Sequence, residues 1–374
     1  MKKRFRVKIE FILTLLFINT VFVSFSQQMH SLKGYITDED DAPFPHVNIF
    51  LLNSKAGTIT NNDGAFSLHF SGMEDILNAS FIGYETRTME VDKNTGFVRI
   101  QLKPSPIQLN EVVISNLSAA DLLKKAIGQI PENYPLEPFL CKAYYRAKLW
   151  EKDTLRYMEE TMFDIVKSYR SSFSDEYFLI KNRNFRFASD HGAFKQIGRF
   201  DIVKTIDKMF DGGFFRNYMV SYKPGTTFEN RPVYVLSFTR KNNVKGNEGE
   251  IYIDAEDLAF VRFDIHYERG DTRFAQYRKV EGKYYLMNGN TLYLNKRLNR
   301  ILPAEADIVI TDIIPAFSKN DIKGIRIDTE DILEVYATQA QDTLFWQQHN
   351  AILPDSAISM ALERYKAKQK DSIA

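Results

Sequence analysis

The sequence has very little of what would identify an enzyme or a nucleic-acid-binding protein. Its 374 residues include a single cysteine, Cys141, so an intrachain disulfide is impossible and stability must come from a packed core. Lysine and arginine (49) nearly balance aspartate and glutamate (48), and a net charge of +1 gives no field to hold a polyanion. The nucleophile elbow, the zinc-binding helix motif and the phosphate-binding loop are all missing from the sequence. We therefore predict no catalytic residue, no cofactor, no metal site and no nucleic-acid partner.

The first 26 residues have the pattern of an export signal. Five lysines and arginines lie within the first eight residues, an apolar run covers 11–25, and small residues precede Gln27 as a signal peptidase requires. That run is shorter than the ~20 residues of a membrane-spanning helix, so we favour a cleaved signal over a retained anchor. Removal of residues 1–26 changes the net charge from +1 to −3. We expect a protein of the periplasm or associated with the outer membrane, without a transmembrane segment after cleavage.

Residues 27–103 predict an antiparallel β-sandwich. Short runs of alternating apolar and polar residues are separated by turn residues, and Asn61 to Gly64 predict a tight turn that closes a hairpin. The surroundings of Cys141, further along, also alternate, which favours a buried and inert thiol. The seven predicted strands of the sandwich are 32–37, 47–51, 57–60, 65–70, 76–81, 86–91 and 97–102.

Five ordered blocks of this unit resemble the carboxypeptidase regulatory-like domain, in the version that precedes TonB-dependent outer-membrane receptors and related envelope proteins of Bacteroidetes. The resemblance implies a transthyretin-like β-sandwich that is itself non-catalytic. Receptors with this domain continue into a plug and a large barrel, and the length after Pro106 is too short for both, so we do not expect transport by this polypeptide alone. The blocks that carry the resemblance are 32–38, 45–49, 57–68, 80–85 and 109–114.

Beyond the sandwich we predict a linker strand, a second domain and a helical tail. Pro104 and Pro106 end the sandwich, and 104–117 form the linker. Residues 118–340 combine helices at 118–130 and 201–210 with long alternating strands, which predicts an α+β domain with a curved, half-barrel-like antiparallel sheet packed on one or two helices. Residues 341–374 form the helical tail. The predicted fold class is mainly β.

Parts of this second region also resemble known envelope proteins. Three blocks, 126–135, 249–254 and 345–350, are similar to the region that follows the regulatory-like domain in uncharacterised Bacteroidetes proteins. The middle of the region is similar to lipoprotein-carrier half-barrels. This second similarity concerns the fold and covers about half of the region.

Candidate functional residues are few. His266 and Glu268 share a face if they lie on one strand, and Asp190 precedes His191, but exposed ion pairs explain such pairs more simply than catalysis does. Aromatic residues are abundant, with 19 Tyr and 29 Phe, and within each aromatic pair of a strand one side chain faces away from the core. We therefore predict that a ligand groove is lined by Tyr145, Phe215, Tyr285 and Trp346.

These observations favour an exported, non-catalytic cell-envelope protein that acts as a binding or adaptor module. Its partner would be another envelope protein, a glycan or a lipid. Two alternatives stay open. A lipid or lipoprotein carrier predicts an apolar cavity between the sheet and its helices, whereas a hydrolase predicts a cleft that holds two acids or a histidine and an acid with perturbed pKa values.

Overall fold

The computed structural model describes residues 29–105, 117–152, 154–186, 200–297, 300–327, 345–346, 349 and 352–371. The predicted signal at 1–26, most of the linker and the Asp190–His191 pair lie outside these residues. The sandwich consists of β1 (Met29–Thr37), β2 (Asn48–Leu51), β3 (Gly57–Ile59), β4 (Ala65–Ser71), β5 (Glu74–Ser80), β6 (Arg87–Asp92) and β7 (Phe97–Gln101).

The seven strands confirm the predicted sandwich. They form a three-stranded sheet in the order β4-β1-β7 and a four-stranded sheet in the order β3-β2-β5-β6. Every pair is antiparallel except β1 and β7, which run parallel. Gly34 is required in β1 because a Cβ there would lie 2.3 Å from the ring of Phe66. The turn at Asn61 to Gly64 is present, but β3 and β4 belong to different sheets, so it joins the two layers instead of closing a hairpin.

In the part of the second region that the structure describes, there are eleven strands, four short α-helices and one of 16 residues. Its helices are α1 (Ala119–Gly128), α2 (Ile130–Asn133), α3 (Ile206–Met209), α4 (Gly212–Asn217) and α5 (Ser356–Asp371). Its strands are β8 (Phe139–Glu151), β9 (Thr154–Lys167), β10 (Glu176–Arg186), β11 (Tyr218–Phe228), β12 (Arg231–Arg240), β13 (Glu248–Asp254), β14 (Phe260–His266), β15 (Thr272–Val280), β16 (Lys283–Arg297), β17 (Arg300–Ile314) and β18 (Ile325–Ile327).

These eleven strands form one antiparallel sheet in the order β11-β12-β13-β14-β15-β16-β17-β8-β9-β10-β18. After β10 the chain moves to the opposite edge of the sheet, where β11 begins, and then returns strand by strand until β17 pairs with β8. Residues 200–217, which we call the crossing segment, belong to this connection. Register shifts interrupt six of the strand pairs, and such bulges increase the twist of a sheet.

One face of the large sheet, the helix face, packs against α1 and the crossing segment. Small residues lie under the crossing segment: a Cβ on Gly289 would be 3.2 Å from the ring of Phe200, and Ala143, Ala147 and Ala275 are fully buried nearby in the same core. Large apolar side chains of the crossing segment fill the space that these small residues leave. They are Phe200, Ile202, Val203, Ile206, Phe210 and Phe214.

The other face, the outer face, carries the four-stranded sheet of the sandwich. In β2, Ile49 and Leu51 point into the sandwich core, whereas Phe50 belongs to the core of the large sheet. The Nδ2 of Asn288 donates to the Oδ1 of Asn48 across the same junction. The molecule is therefore layered, with two sandwich sheets, the large sheet and the helices in succession.

The helices follow the predictions in part. Ser118 caps α1 by accepting a hydrogen bond from the Asp121 amide at 3.1 Å, and the predicted tail helix is present as α5. The predicted helix at 201–210 is instead a 3-10 turn followed by the single turn of α3. Gly212 and Gly213, expected to follow a helix, begin α4. The predicted domain boundaries stay predictions. Among the described residues, none of the helices is long and apolar enough to cross a bilayer.

Candidate functional site

The structure does not bring the four predicted groove aromatics together. Tyr145 and Tyr285 are buried on the helix face, where Tyr145 contacts Phe200 and Tyr285 contacts Phe139 edge-on at 5.0 Å between ring centres. Trp346 is also buried, but it lies on the outer face. Phe215 is the half-buried member of the set, on α4. None of the four lines the open space beside α4, where the neighbouring Phe214 is a lining residue instead.

That space is a cleft of about 330 Å³ at one end of the helix face. Phe214 and Tyr218 are stacked at 4.7 Å with an angle of 9° between the rings, and Phe238 meets Phe214 edge-on at 5.5 Å. The cleft is thus a half-open aromatic box. Its lining residues are Met209, Asp211, Gly213, Phe214, Asn217, Tyr218, Phe238, Asn247, Ile265 and Tyr267.

A helix cap and strand pairing fix the positions of the three aromatic residues of the box. The Oδ1 of Asp211 accepts a hydrogen bond from the Phe214 amide at 2.8 Å, which caps α4 and directs Phe214 onto the sheet. Tyr218 begins β11 immediately after the helix, and Phe238 near the end of β12 pairs with Val220 and Gly249. The box therefore lies where α4, the start of β11 and the end of β12 meet.

The polar groups of the cleft are engaged locally. The Nδ2 of Asn217 donates to the Gly213 carbonyl at 2.9 Å, and the Oδ1 of Asn247 accepts from the Glu268 amide at 3.2 Å. Asp211 is the one acid among the lining residues that the structure describes, and these residues include no histidine, cysteine or lysine. The cleft is therefore suited to hold an apolar or aromatic group through burial of its surface.

The sequence-predicted acid–histidine pair is not arranged on one strand face. β14 ends at His266, so Glu268 lies in the following turn, where its amide bonds to Asn247. Within the described part of the chain, no group of three or more His, Cys, Asp or Glu is arranged to hold a metal ion. Cys141 is buried, as predicted, and burial raises the pKa of its thiol to about 12.

Several buried ion networks lie outside the cleft, and two of them hold the strands β9 and β10 and the crossing segment. On the outer face, Glu160 lies between Arg146 and Arg183; burial alone would raise its pKa, but the two guanidinium groups lower it to about 2. On the helix face, the Nζ of Lys167 is 2.6 Å from Asp175 and 3.2 Å from Asp201. Burial opposes the charge of Lys167, yet these two carboxylates raise its pKa well above the usual value. Asp201 thereby fixes the start of the crossing segment to the sheet.

Sequence reasoning missed the residues that line the cleft. It selected Phe215 because the Phe214–Phe215 pair was treated by strand alternation, whereas both residues lie on α4. Asp211 before two glycines was the available signal, since aspartate is a common N-cap residue. Nothing in the sequence near Phe238, Ile265 or Tyr267 indicates that these residues meet α4, because their proximity depends on the strand order.

Comparison with known proteins identifies the N-terminal region. Residues 32–114 match the family model described as the CarboxypepD_reg-like domain. A TonB-dependent receptor of Formosa agariphila is 35% identical over 104 residues, and the TonB-dependent receptor SusC of Bacteroides thetaiotaomicron is 33% identical over 103 residues. The matches cover 28% and 27% of this chain and 10% of each receptor, so the chain spans a small part of the length of these relatives.

Solved structures align with about half of the chain at low similarity. A putative outer membrane lipoprotein-sorting protein domain from Vibrio parahaemolyticus gives a TM-score of 0.26 at 10% identity and covers 54% of this chain and 94% of its own. A LolA superfamily protein from Nitrosomonas europaea gives 0.24 at 14% identity, with coverages of 55% and 96%. MucA/MucB of Pseudomonas aeruginosa gives 0.20 at 9% identity, with coverages of 54% and 99%. Structural similarity this low supports no conclusion about function.

The sequence matches and the observed sandwich agree on the same part of the chain. The seven strands between Met29 and Gln101 lie almost entirely within the matched range, and both receptors are similar to this chain over about the same length as the family model. The N-terminal region of this protein, residues 32–114, is a carboxypeptidase-regulatory-like domain, and it is the part that the TonB-dependent receptors share.

Proposed function

We propose that this chain is an exported, non-catalytic cell-envelope protein that acts as a binding module, and that its cleft takes an apolar or aromatic group of the partner. The observation that carries the proposal is the half-open box of Phe214, Tyr218 and Phe238. A volume of about 330 Å³ lies at the lower end of the range of ligand sites. Each Å² of apolar ligand surface removed from water there contributes roughly 25 cal/mol.

The location of the protein is part of this proposal. The basic and apolar N-terminal pattern supports export, and the relatives of the sandwich are TonB-dependent receptors. A partner in the envelope, whether protein, glycan or lipid, is consistent with both observations. The periplasm or the outer-membrane surface is therefore where we expect the cleft to meet its ligand.

The two alternative functions place different demands on the structure. A carrier needs room for an acyl chain, and the described residues fill the space between sheet and helices with side chains such as Phe200 and Phe210. A carrier would thus have to hold its lipid in the rim cleft. A hydrolase that used this cleft would need a second acid or a histidine beside Asp211, and the described lining residues supply neither. Acids and a histidine do meet in another open space, lined by Glu248, Glu250, Asp264 and His266. The binding function requires only the surfaces that are present.

Blocking the cleft tests the proposal. Asn217 is exposed and lines the cleft, so Asn217→Trp should fill it without disturbing the core. With a dansyl-labelled undecanoic acid as the probe, we expect saturable binding by the native protein and an affinity at least about tenfold lower for the variant, measured by dansyl anisotropy. Asn320→Trp, the same change at an exposed position on another surface, is the control and should bind as the native protein does. Equal binding by both variants, or no saturation by the native protein, would contradict the proposal.

A further inference from the structure

The outer face of the large sheet holds a second binding arrangement, which is occupied by the chain itself. Its occupant is the C-terminal segment, residues 345–371, of which the structure describes 345–346, 349 and 352–371. Strands β8, β9 and β10 form its base, and the sandwich turn at Asn61 to Gly64 forms one wall. We call this arrangement the outer groove.

The base of the outer groove is a buried network of charged side chains. Glu160 is fully buried and accepts hydrogen bonds from Arg146 at 2.7 Å and from Arg183 at 2.5 Å, and it also accepts one from the Tyr144 hydroxyl. Asp307 lies opposite Arg146 on β17 and adds a second negative charge, but N–H groups of Arg146 still need acceptors beyond Glu160. A buried cation in this position requires acceptors with fixed geometry.

The C-terminal segment supplies those acceptors from its main chain. The Nη2 of Arg146 donates to the Ile352 carbonyl at 2.6 Å, and its Nη1 donates to the Leu353 carbonyl at 3.3 Å. Trp346 is 1% exposed, and the guanidinium of Arg183 lies 4.4 Å from the centre of its ring. One arginine therefore binds the peptide backbone and the other covers an aromatic side chain that fills a pocket.

The sandwich turn binds the start of α5. The Nδ2 of Asn62 donates to the Oδ2 of Asp355 at 2.7 Å. The Oδ2 of Asp63 accepts from both the amide and the hydroxyl of Ser356 at 2.7 Å. Residues that the sequence explained as a simple turn thus recognise a proline–aspartate–serine stretch, in which the Oδ1 of Asp355 also caps the helix through the Ile358 amide.

One apolar contact completes the arrangement. Ile358 is 1% exposed and lies in a small core with Leu155, Met158 and Phe185. The remainder of α5 is mostly polar, and Met360 is 53% exposed. The segment is therefore held by backbone carbonyls, by the three buried apolar side chains of Trp346, Ile352 and Ile358, and by a capped helix start, which are contacts by which proteins recognise short peptides.

We propose that the outer groove is a peptide-binding site and that the C-terminal segment of a second copy of this chain can replace the resident one. Residues 328–344 connect β18 to Phe345, and 17 residues span up to about 56–61 Å when extended, which suffices to reach a neighbouring molecule. Exchange of an identical segment recreates every contact described above and needs no new surface. The occupant is thus defined by the sequence of residues 345–371.

Peptide exchange into the nicked full chain tests this proposal. A protease site inserted within 328–344 is cut in the folded protein, and a fluorescein-labelled peptide of residues 345–371 is then added in excess. We expect the released fragment to stay bound until the labelled peptide replaces it, with saturable anisotropy. The peptide with Trp346→Ala should bind at least about tenfold more weakly, because it lacks the buried aromatic anchor. The peptide with Met360→Ala, altered at an exposed position, should bind like the native one.

A second variant acts on the protein side of the groove. Asp63→Ala removes both hydrogen bonds to Ser356 from a half-buried position of the turn and should accelerate release of the labelled peptide several-fold. Asp40→Ala, an exposed acid in another loop of the sandwich, is its control. The proposal is overturned if the fragment never exchanges, or if native and Trp346→Ala peptides compete equally for a protein that keeps its circular dichroism spectrum.

Discussion

Glu159 and Glu160 are neighbours in β9, yet they lie on opposite faces of the sheet. Glu159 faces the helices and accepts hydrogen bonds from Tyr157 at 2.9 Å and Asn182 at 2.8 Å, and burial raises its pKa. Glu160 faces outward between two arginines, and its pKa is lowered to about 2. The same side chain thus has opposite electrostatic preferences at adjacent positions, because strand side chains alternate between faces.

Substitution of these two residues by glutamine should have very different effects. Glu160→Gln leaves two guanidinium groups without their carboxylate, and we expect a loss of about 3–5 kcal/mol in the free energy of unfolding. Glu159→Gln removes a buried charge while keeping a group that can accept hydrogen bonds, so its effect should stay within about 1 kcal/mol. Urea unfolding at pH 7 measures both. Similar losses of unfolding free energy for the two variants would contradict the proposed difference between the electrostatic surroundings of Glu159 and Glu160.

The free energy of unfolding should depend on pH through both glutamates, with opposite signs. Since the folded pKa of Glu160 lies below its ordinary 4.5, the stabilisation is complete above pH 4.5 and is lost as the pH falls towards 2. For Glu159 the folded pKa is raised, so stability increases as the pH falls through that raised value towards 4.5. Thermal unfolding between pH 2 and 7 should show that the Glu160→Gln variant loses less stability on acidification than the native protein.

At the scale of elements, the crossing segment is held by charge at its start and by aromatic packing further along. Asp201 accepts a hydrogen bond from the Tyr277 hydroxyl at 2.8 Å and forms an ion pair with buried Lys167. Phe210 and Phe214 then meet edge-on at 4.7 Å and direct α4 towards the cleft. Helical periodicity predicted a helix at 201–210, but contacts with the sheet determine the irregular path that is observed.

Asp201→Asn should therefore loosen the crossing segment. It leaves the ammonium of Lys167 with Asp175 alone, and we expect a loss of about 3 kcal/mol together with faster amide hydrogen exchange in residues 200–217. Tyr277→Phe is the comparison that leaves the ion pair intact: it removes two hydrogen bonds, one donated to Asp201 and one accepted from the Val203 amide, and should cost about 2 kcal/mol. Unchanged exchange in the Asp201→Asn variant would mean that aromatic packing alone holds the segment.

At the scale of the whole molecule, the sandwich and the large sheet share a buried junction. Glu229 bonds to Ser80 of the sandwich at 3.1 Å and to Arg278 of the sheet at 2.9 Å, and the Arg278 guanidinium lies 4.2 Å from the ring centre of Phe50. Glu229 and Arg278 both belong to the large-sheet unit, so among these contacts the ion pair that crosses the junction is Lys55 with Glu281, which is largely exposed on the Glu281 side. The buried contacts couple the two units, so we expect them to unfold together.

The buried Glu229–Arg278 pair beside the junction and the exposed Lys55–Glu281 pair across it provide a comparison of buried and exposed charges. Glu229→Ala leaves Arg278 buried without a carboxylate; we expect a loss of about 3–5 kcal/mol and the separation of one calorimetric transition into two. Lys55→Ala should cost less than about 1 kcal/mol and keep a single transition, because the pair is exposed. Two transitions in the native protein would show that the junction does not couple the units.

The sequence by itself predicted the seven strands of the sandwich, the family of residues 32–114, most long strands of the large sheet and the tail helix, because alternation, turn residues and capping residues act over short stretches of chain. It did not predict β10 or β11. It did not determine that β17 pairs with β8 or that α4 meets Phe238, since these contacts join residues far apart in sequence. Trp346 and the turn at Asn61 to Gly64 illustrate the same limit. Their local patterns predicted a ligand-groove aromatic and a hairpin turn, and only the tertiary structure, by folding the C-terminal segment across the outer face, placed both among the contacts that hold this segment.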